Sequence, residues 1–167
     1  MLHTKKILLL CCVIVATTST LLWYKQSQTH TEPNLPPPEQ ANTVQVTVGT
    51  ATFNAILADT KEKQHVGLSH HQQLLPNQGM LFPFTPAQPA TFWMKDMQMP
   101  IDLIWIRDSR VIGIEKNLPI PETMGTTPLP TWASPVPIDA VLEISAGSAT
   151  SLGITIGDPV IWQRQQN

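Results

Sequence analysis

The chain reads as a mostly β, α+β protein: a compact, partly closed β-barrel-like domain with one or two short helices, behind an N-terminal transmembrane helix. Three observations predict this. A single charge-free apolar run at residues 7–23 follows Lys5 and Lys6. Beyond residue 42 come seven or eight short apolar or alternating segments punctuated by turn residues, the pattern of an all-β domain. Helical material is too scarce for a sheet built of parallel βαβ units.

The apolar run is 17 residues long, the short end of the roughly 17 to 25 helical residues that cross a hydrocarbon core of about 30 Å. Lys5 and Lys6 ahead of it and Trp23, Tyr24 and Lys25 behind it supply basic and aromatic flanks suited to a membrane interface, with the N-terminus inside. Residues 15–20 only loosely imitate the small-residue cleavage site of a signal peptide, so residues 1–25 are expected to be an uncleaved signal-anchor. Both cysteines, Cys11 and Cys12, lie in this run, and Leu10 and Cys11 stand where a lipoprotein site needs a small residue. The remainder has no cysteine, which is compatible with export into an oxidising compartment and excludes thiol chemistry there. The expected location is therefore the membrane, with the soluble domain in the periplasm or another extracytoplasmic space.

Residues 26–41 are polar and carry Pro33, Pro36, Pro37 and Pro38, which exclude a helix or a strand ladder. Consecutive prolines favour an extended spacer of about 3.1 Å per residue, a linker holding the domain off the bilayer. The domain proper is placed at residues 42–164. From residue 42 onward there are seven Lys or Arg against ten Asp or Glu, a net charge of −3 with histidines neutral, which argues against a nucleic-acid partner.

Along the domain, residues 43–50 alternate with Val44, Val46 and Val48 on one face, and after Gly49 the alternation resumes through Phe53, Ala55 and Leu57, predicting two strands and a tight turn. Asp59 stands three residues ahead of Glu62, a capping-box spacing that predicts a short helix over 60–68. Residues 79–82 predict a short strand, residues 91–99 another, and residues 101–106 and 111–115 a hairpin around the polar turn 107–110. Residues 117–138 hold six prolines and little periodicity, a stretch long enough to be a functional flap or a rigid wrap. A strand over 140–144, a helical turn near 148–152 and a last strand over 158–162 complete the chain, without internal repeats.

Three stretches carry a family resemblance: Gly79-Met80-Leu81-Phe82, then Phe92-Trp93-Met94-Lys95-Asp96 with Pro100-Ile101-Asp102, then Val141-Leu142-Glu143-Ile144 with Ala146-Gly147. In order and spacing they resemble the DUF192 family, also called UPF0127. Gly67-Leu68, Gly153-Ile154 and Gly157-Asp158 extend the likeness, so that it covers about residues 43–162. The resemblance implies a small, mostly β domain, often behind a signal peptide or membrane anchor, and no established reaction. Arginines typical of the family near the Gly-Leu pair are replaced here by Gln64 and His71, and Trp132-Ala133-Ser134 stands where the family often has Tyr-x-Ser. An aromatic at the end of the long loop implies a wrap over a pocket.

Lys95, Asp96, Asp102 and Glu143 are embedded in apolar strands, where ionised groups are costly unless paired or exposed. They are either structural or, if carboxylates and a lysine converge, a site for a polar ligand or acid–base chemistry. On a continuous strand Lys95 and Asp96 point to opposite faces and do not pair. Met94, Met97 and Met99 suit soft Cu(I), but on a strand Met94 faces away from the other two, and methionine is ordinary core filler. His65, His70 and His71 miss the i, i+4 ligand spacing and read as a solvated loop, so no metal site and no cofactor are expected. Ser69 beside His70 lacks a nucleophile elbow, and phosphate-loop and dinucleotide signatures are absent.

The expected function is a non-catalytic envelope module, tethered to the membrane, that binds a small polar ligand or an envelope protein under the Pro-rich loop. Its candidate ligand-binding residues are Trp93, Lys95, Asp96, Asp102, Trp132 and Glu143, with Trp105 a further aromatic. The alternatives are an envelope enzyme with Asp96, Asp102 or Glu143 as acid or base and Lys95 as anion holder, and an exported copper-binding protein. The two leading readings separate on whether polar side chains converge in one cleft.

Overall fold

The structure is a computed structural model that describes residues 42–69, 71–121 and 129–164. The expected anchor, residues 1–25, and the expected linker, residues 26–41, lie outside the described residues. Among the described residues no helix is long and apolar enough to cross a membrane.

The sequence starts with β1 (Thr43–Val48) and β2 (Ala51–Leu57), paired antiparallel across Gly49 at φ 58, a backbone conformation natural to glycine. Val44, Val46, Val48, Phe53, Ala55 and Leu57 are all buried, as the alternation predicts. Next come α1 (Lys61–Val66), β3 (Gln78–Gln88), β4 (Thr91–Trp93), β5 (Ile101–Arg107), β6 (Arg110–Leu118), β7 (Thr131–Ala133), β8 (Ile138–Ser145), α2 (Ser148–Ser151) and β9 (Val160–Arg164). Seven strands form one sheet in the order β6-β5-β8-β3-β2-β1-β9, and β4 and β7 form a separate ribbon.

The sheet curls into a half-barrel. At one end its edges meet: the Val160 amide donates to the Ser109 carbonyl at 2.8 Å, and the Val111 amide to the Asp158 carbonyl at 3.0 Å. One core cluster fills the inside of the curl, with Val46, Phe53, Leu81, Ile104, Leu142 and Val160 among its members. The second lies on the outer face, where Leu68, Phe82, Leu103, Trp105 and Val141 pack with the three methionines of the 94–99 segment. The β5–β6 hairpin is closed by Asp108 and Ser109 at φ 48 and 56, the paired positive values of a turn whose twist suits a two-residue hairpin.

Several elements differ from expectation. The run over 91–99 is a strand only to Trp93; residues 94–100 turn, with Asp96 at φ 57. The turn brings Lys95 and Asp96 together, Nζ to Oδ2 at 3.9 Å on the surface, although an extended strand separates them. It also buries Met94, Met97 and Met99 in one cluster, so Met94 does not face away from the others. In α1 the cap is Thr60, whose hydroxyl accepts from the Lys63 amide at 3.3 Å, and Asp59 instead holds the Lys63 ammonium at 2.9 Å. The chain from β2 through α1 into β3 is a parallel crossover, against the expectation of a sheet free of βαβ units. β3 reaches Gln88, well past the expected residue 82, and the long loop contains β7.

Candidate functional site

On the outer face of the half-barrel, between α1 and the β4–β7 ribbon, lies an open cavity of about 350 Å³. Its walls are Leu68, Phe82, Phe84, Phe92, Trp93 and Met97. Phe82 and Phe92 meet edge to face at 5.1 Å, and Phe92 meets Trp105 the same way at 5.7 Å, a geometry that locks the ring of Phe92 into the wall. Trp93 is 46% exposed and stands against His65 of α1 at 5.8 Å.

The ribbon is fixed by its own hydrogen bonds. Phe92 pairs with Trp132 in register, and Ser134 and Ala90 bond reciprocally: the Ala90 amide donates to Ser134 Oγ at 3.1 Å, the Ser134 amide to the Ala90 carbonyl at 2.8 Å. The Ser69 hydroxyl donates to the Lys95 carbonyl at 3.0 Å, tying the end of α1 to the 94–100 turn. Gln64 Nε2 reaches the Pro83 carbonyl at 3.1 Å and secures the helix to β3.

The polar group at the cavity floor is Glu143, 5% exposed. On β8 it stands in register between Met80 of β3 and Leu103 of β5, so neither neighbour offers charge or a side-chain hydrogen bond. Its Oε2 is buried without a hydrogen-bond partner. Desolvation pushes its pKa up from 4.5 to about 8, and the carboxyl is predominantly neutral at pH 7. A buried polar atom left unpartnered costs about 1 to 3 kcal/mol, and its position facing a cavity gives it a place to find a partner.

The register separates the acids that the sequence groups together. Asp102 pairs with Ile144 and Leu103 with Glu143, so Asp102 and Glu143 lie on opposite faces of the sheet. Asp102 is fully buried, and both its oxygens are occupied: Oδ1 accepts from the Asn117 amide at 2.8 Å and Oδ2 from the Ala149 amide at 2.9 Å. It staples β6 and α2 to β5. Lys95 is exposed and Asp96 half-buried on the 94–100 turn, Trp105 is core, and Trp132 of β7 is half-buried against the outer-face cluster. Of the six candidate residues, Trp93 and Glu143 line the cavity. Lys61, Gln64 and His65 of α1 also line it and were not among the candidates; His65 is part of the wall, not of a solvated loop. His70 lies outside the described residues.

The family model for DUF192, described as "Uncharacterized ACR", matches residues 44–162. The chain belongs to the DUF192 family. Two solved structures share the domain. A protein of unknown function from Novosphingobium aromaticivorans DSM 12444 is 38% identical, with a TM-score of 0.62 over 72% of this chain and 84% of that one. A protein from Sinorhizobium meliloti 1021, described as a candidate transcription regulator, is 28% identical, with a TM-score of 0.62 over 72% of this chain and 92% of that one. No curated protein matches the chain. In this DUF192 domain the Gly-Met-Leu-Phe and Val-Leu-Glu-Ile elements are the adjacent strands β3 and β8, which meet at the cavity floor. A Cβ on Gly79 would stand 2.6 Å from the Glu143 carbonyl oxygen, so only glycine allows β3 to lie this close to β8.

Proposed function

We propose that this DUF192 domain is a non-catalytic binding module, exported and tethered to the membrane by residues 1–25, that holds a small polar ligand in the cavity between α1 and the β4–β7 ribbon. The observation that carries the reading is the buried, unpartnered Oε2 of Glu143 at the floor of an aromatic-walled cavity. A cavity that combines aromatic walls with a small number of polar groups, here Glu143 at the floor with Lys61, Gln64 and His65 on α1, is a usual form of small-molecule site, and 350 Å³ falls within the usual range of about 300 to 1,000 Å³. The tether rests on the charge-free run at 7–23 and its basic and aromatic flanks. A small ligand in this cavity, rather than a nucleic acid or a docked envelope protein, accounts for the buried carboxyl.

An enzyme is the second reading, favoured by a carboxyl whose pKa of about 8 suits proton transfer near neutrality. Its second group would be His65, which lines the same cavity.

The test compares native and denatured masses of the full-length chain purified from the membrane fraction in mild detergent. The expected result is a reproducible extra mass on the wild type that is absent from Ala90→Trp, which fills the cavity. Equal extra mass on both proteins would refute the cavity as the site, and recovery of the chain in the soluble fraction would refute the tether.

A further inference from the structure

The cavity offers hydrogen bonds but little charge. Glu143 is buried with its Oε2 unpartnered, and desolvation keeps the carboxyl neutral at pH 7, so the floor presents a hydrogen-bonding group and not a counter-ion. Gln64, Gln88 and Thr91 add neutral hydrogen-bonding side chains to the lining. Lys61 carries the one permanent charge among the described lining residues, at an exposed position where an ion pair contributes little. The rings are of two kinds. Phe82, Phe84 and Phe92 pack on the outer-face core, and Phe92 meets both Phe82 and Trp105 edge to face. Trp93 lines the same cavity yet stays 46% exposed, and its contact with His65 is edge-on, at 79° between the ring planes. Its position is fixed, because it pairs with Thr131 across a ribbon that Ser134 and Ala90 lock together.

An ion in this cavity gains no counter-charge at the floor, and an alkyl chain leaves Oε2 of Glu143 as unpartnered as before. A sugar ring has both properties that the lining asks for. The C–H bonds of a pyranose form an apolar face that lies flat on an aromatic ring, and the hydroxyls around its edge donate and accept hydrogen bonds without charge. We infer that the cavity takes an uncharged pyranose sugar, its C–H face on Trp93 and a hydroxyl against Glu143. The inference deepens the binding reading and rests on it. A compact volume of 350 Å³ is about 9 Å across, comparable with one hexose and its hydroxyl groups, and lies at the small end of ligand sites, so the cavity suits one ring rather than an oligomer. The ring is that of a free sugar or of the end of a glycan chain, which leaves through the open mouth.

The experiment titrates the full-length chain, in a polyoxyethylene detergent that has no sugar head group, with glucose, galactose, mannose, xylose and N-acetylglucosamine, followed by saturation-transfer NMR of the sugar. At least one is expected to bind saturably. Trp93→Ala should weaken that sugar tenfold or more, and Trp93→Phe, which keeps a ring there, should weaken it less. The sugar's single-deoxy analogues locate the hydroxyl on Glu143: one of them should bind wild type about tenfold more weakly, and that difference should vanish in Glu143→Leu, which removes the partner but not the bulk. Binding that survives methylation of the anomeric oxygen assigns the end of a glycan, and binding lost on methylation assigns the free sugar. No binding by any of the five, binding undiminished in Trp93→Ala, or an amino-sugar or uronate analogue that binds tenfold tighter than the neutral sugar overturns the inference. If no sugar binds but the wild type still carries a mass that Ala90→Trp lacks, the cavity reading survives while the sugar inference fails; a sugar that binds Ala90→Trp undiminished overturns both.

Discussion

Glu143 carries a measurable energetic signature even without a ligand. Its carboxyl titrates near 4.5 in the unfolded chain and about 8 in the fold, because burial penalises the charged form. The folded state therefore binds a proton more tightly. The stability associated with that protonated carboxyl is fully present below about pH 4.5 and is lost as pH rises to about 8, with no further change above it. One pKa unit corresponds to about 1.4 kcal/mol, so on the order of 3 kcal/mol has been lost by pH 7. Glu143→Gln has nearly the same shape and does not ionise. The two proteins should be close in stability near pH 4.5. The variant should gain by roughly 1.4 kcal/mol for each pH unit above that, levelling off past pH 8. Urea unfolding of both full-length chains in the same detergent, at pH steps from 4.5 to 9, gives the difference free of every other titrating group. A difference that stays constant across that range would refute the assignment of Glu143 as a desolvated, unpaired acid.

Four further outcomes follow from named contacts. Asp102→Ala leaves the buried amides of Asn117 and Ala149 without acceptors, and a loss of about 2 to 4 kcal/mol is expected in urea unfolding, with Asp102→Asn losing less. Gly79→Ala drives a methyl group against the Glu143 carbonyl oxygen and should cost about 1 to 3 kcal/mol, read as a lowered melting temperature together with weakened ligand retention. Replacing Met94, Met97 and Met99 together by Leu should leave copper content, measured by elemental analysis, unchanged, because all three side chains belong to the outer-face core. Ser134→Ala removes the acceptor of the Ala90 amide and should cost about 1 kcal/mol while loosening the ribbon, seen as faster amide exchange over β4 and β7.

The hairpins were legible because a turn signal stands between period-2 alternation in the first and between apolar runs in the second. Val44 to Leu57 buries the residues its alternation selects, whereas Ile101 to Ile106 is buried at every position and was legible as an apolar run ending at the polar turn 107–110. Residues 91–99 were not, because apolar residues broken by Lys95, Asp96 and Gln98 fit a strand or a partly buried turn equally well, and the left-handed backbone of Asp96 leaves no pattern in a single sequence. The crossover from β2 to β3 escaped notice because its helix has six residues, fewer than two turns, too few to show an apolar stripe. At the site, Trp93 and Glu143 were visible as large or charged residues inside apolar strands. The α1 contribution was readable in principle, since positions 61, 64 and 65 share one face of a helix and all three line the cavity. The separation of Asp102 from Glu143 was not readable, because it depends on the register between β5 and β8.

That separation decides how the charged residues should be weighed. Had Asp102, Glu143 and Lys95 converged, paired carboxylates with a lysine would have favoured acid–base catalysis. Instead Asp102 is saturated by two backbone amides on one face, Lys95 and Asp96 are paired on the surface, and Glu143 alone faces the cavity from the other. A catalytic cleft needs a base and an acid within reach of one reacting atom. Here the second titratable group in the lining that suits proton transfer, His65, stands on an exposed helix at the mouth, while Glu143 is at the floor. One buried carboxyl behind aromatic walls is sufficient to orient a ligand; it takes a partner in the ligand itself to do more. If His65→Gln leaves ligand retention intact while Glu143→Gln abolishes it, the carboxyl acts as an anchor and the binding reading stands. If a bound compound is instead converted, and His65→Gln stops the conversion without reducing retention, the enzyme reading takes its place.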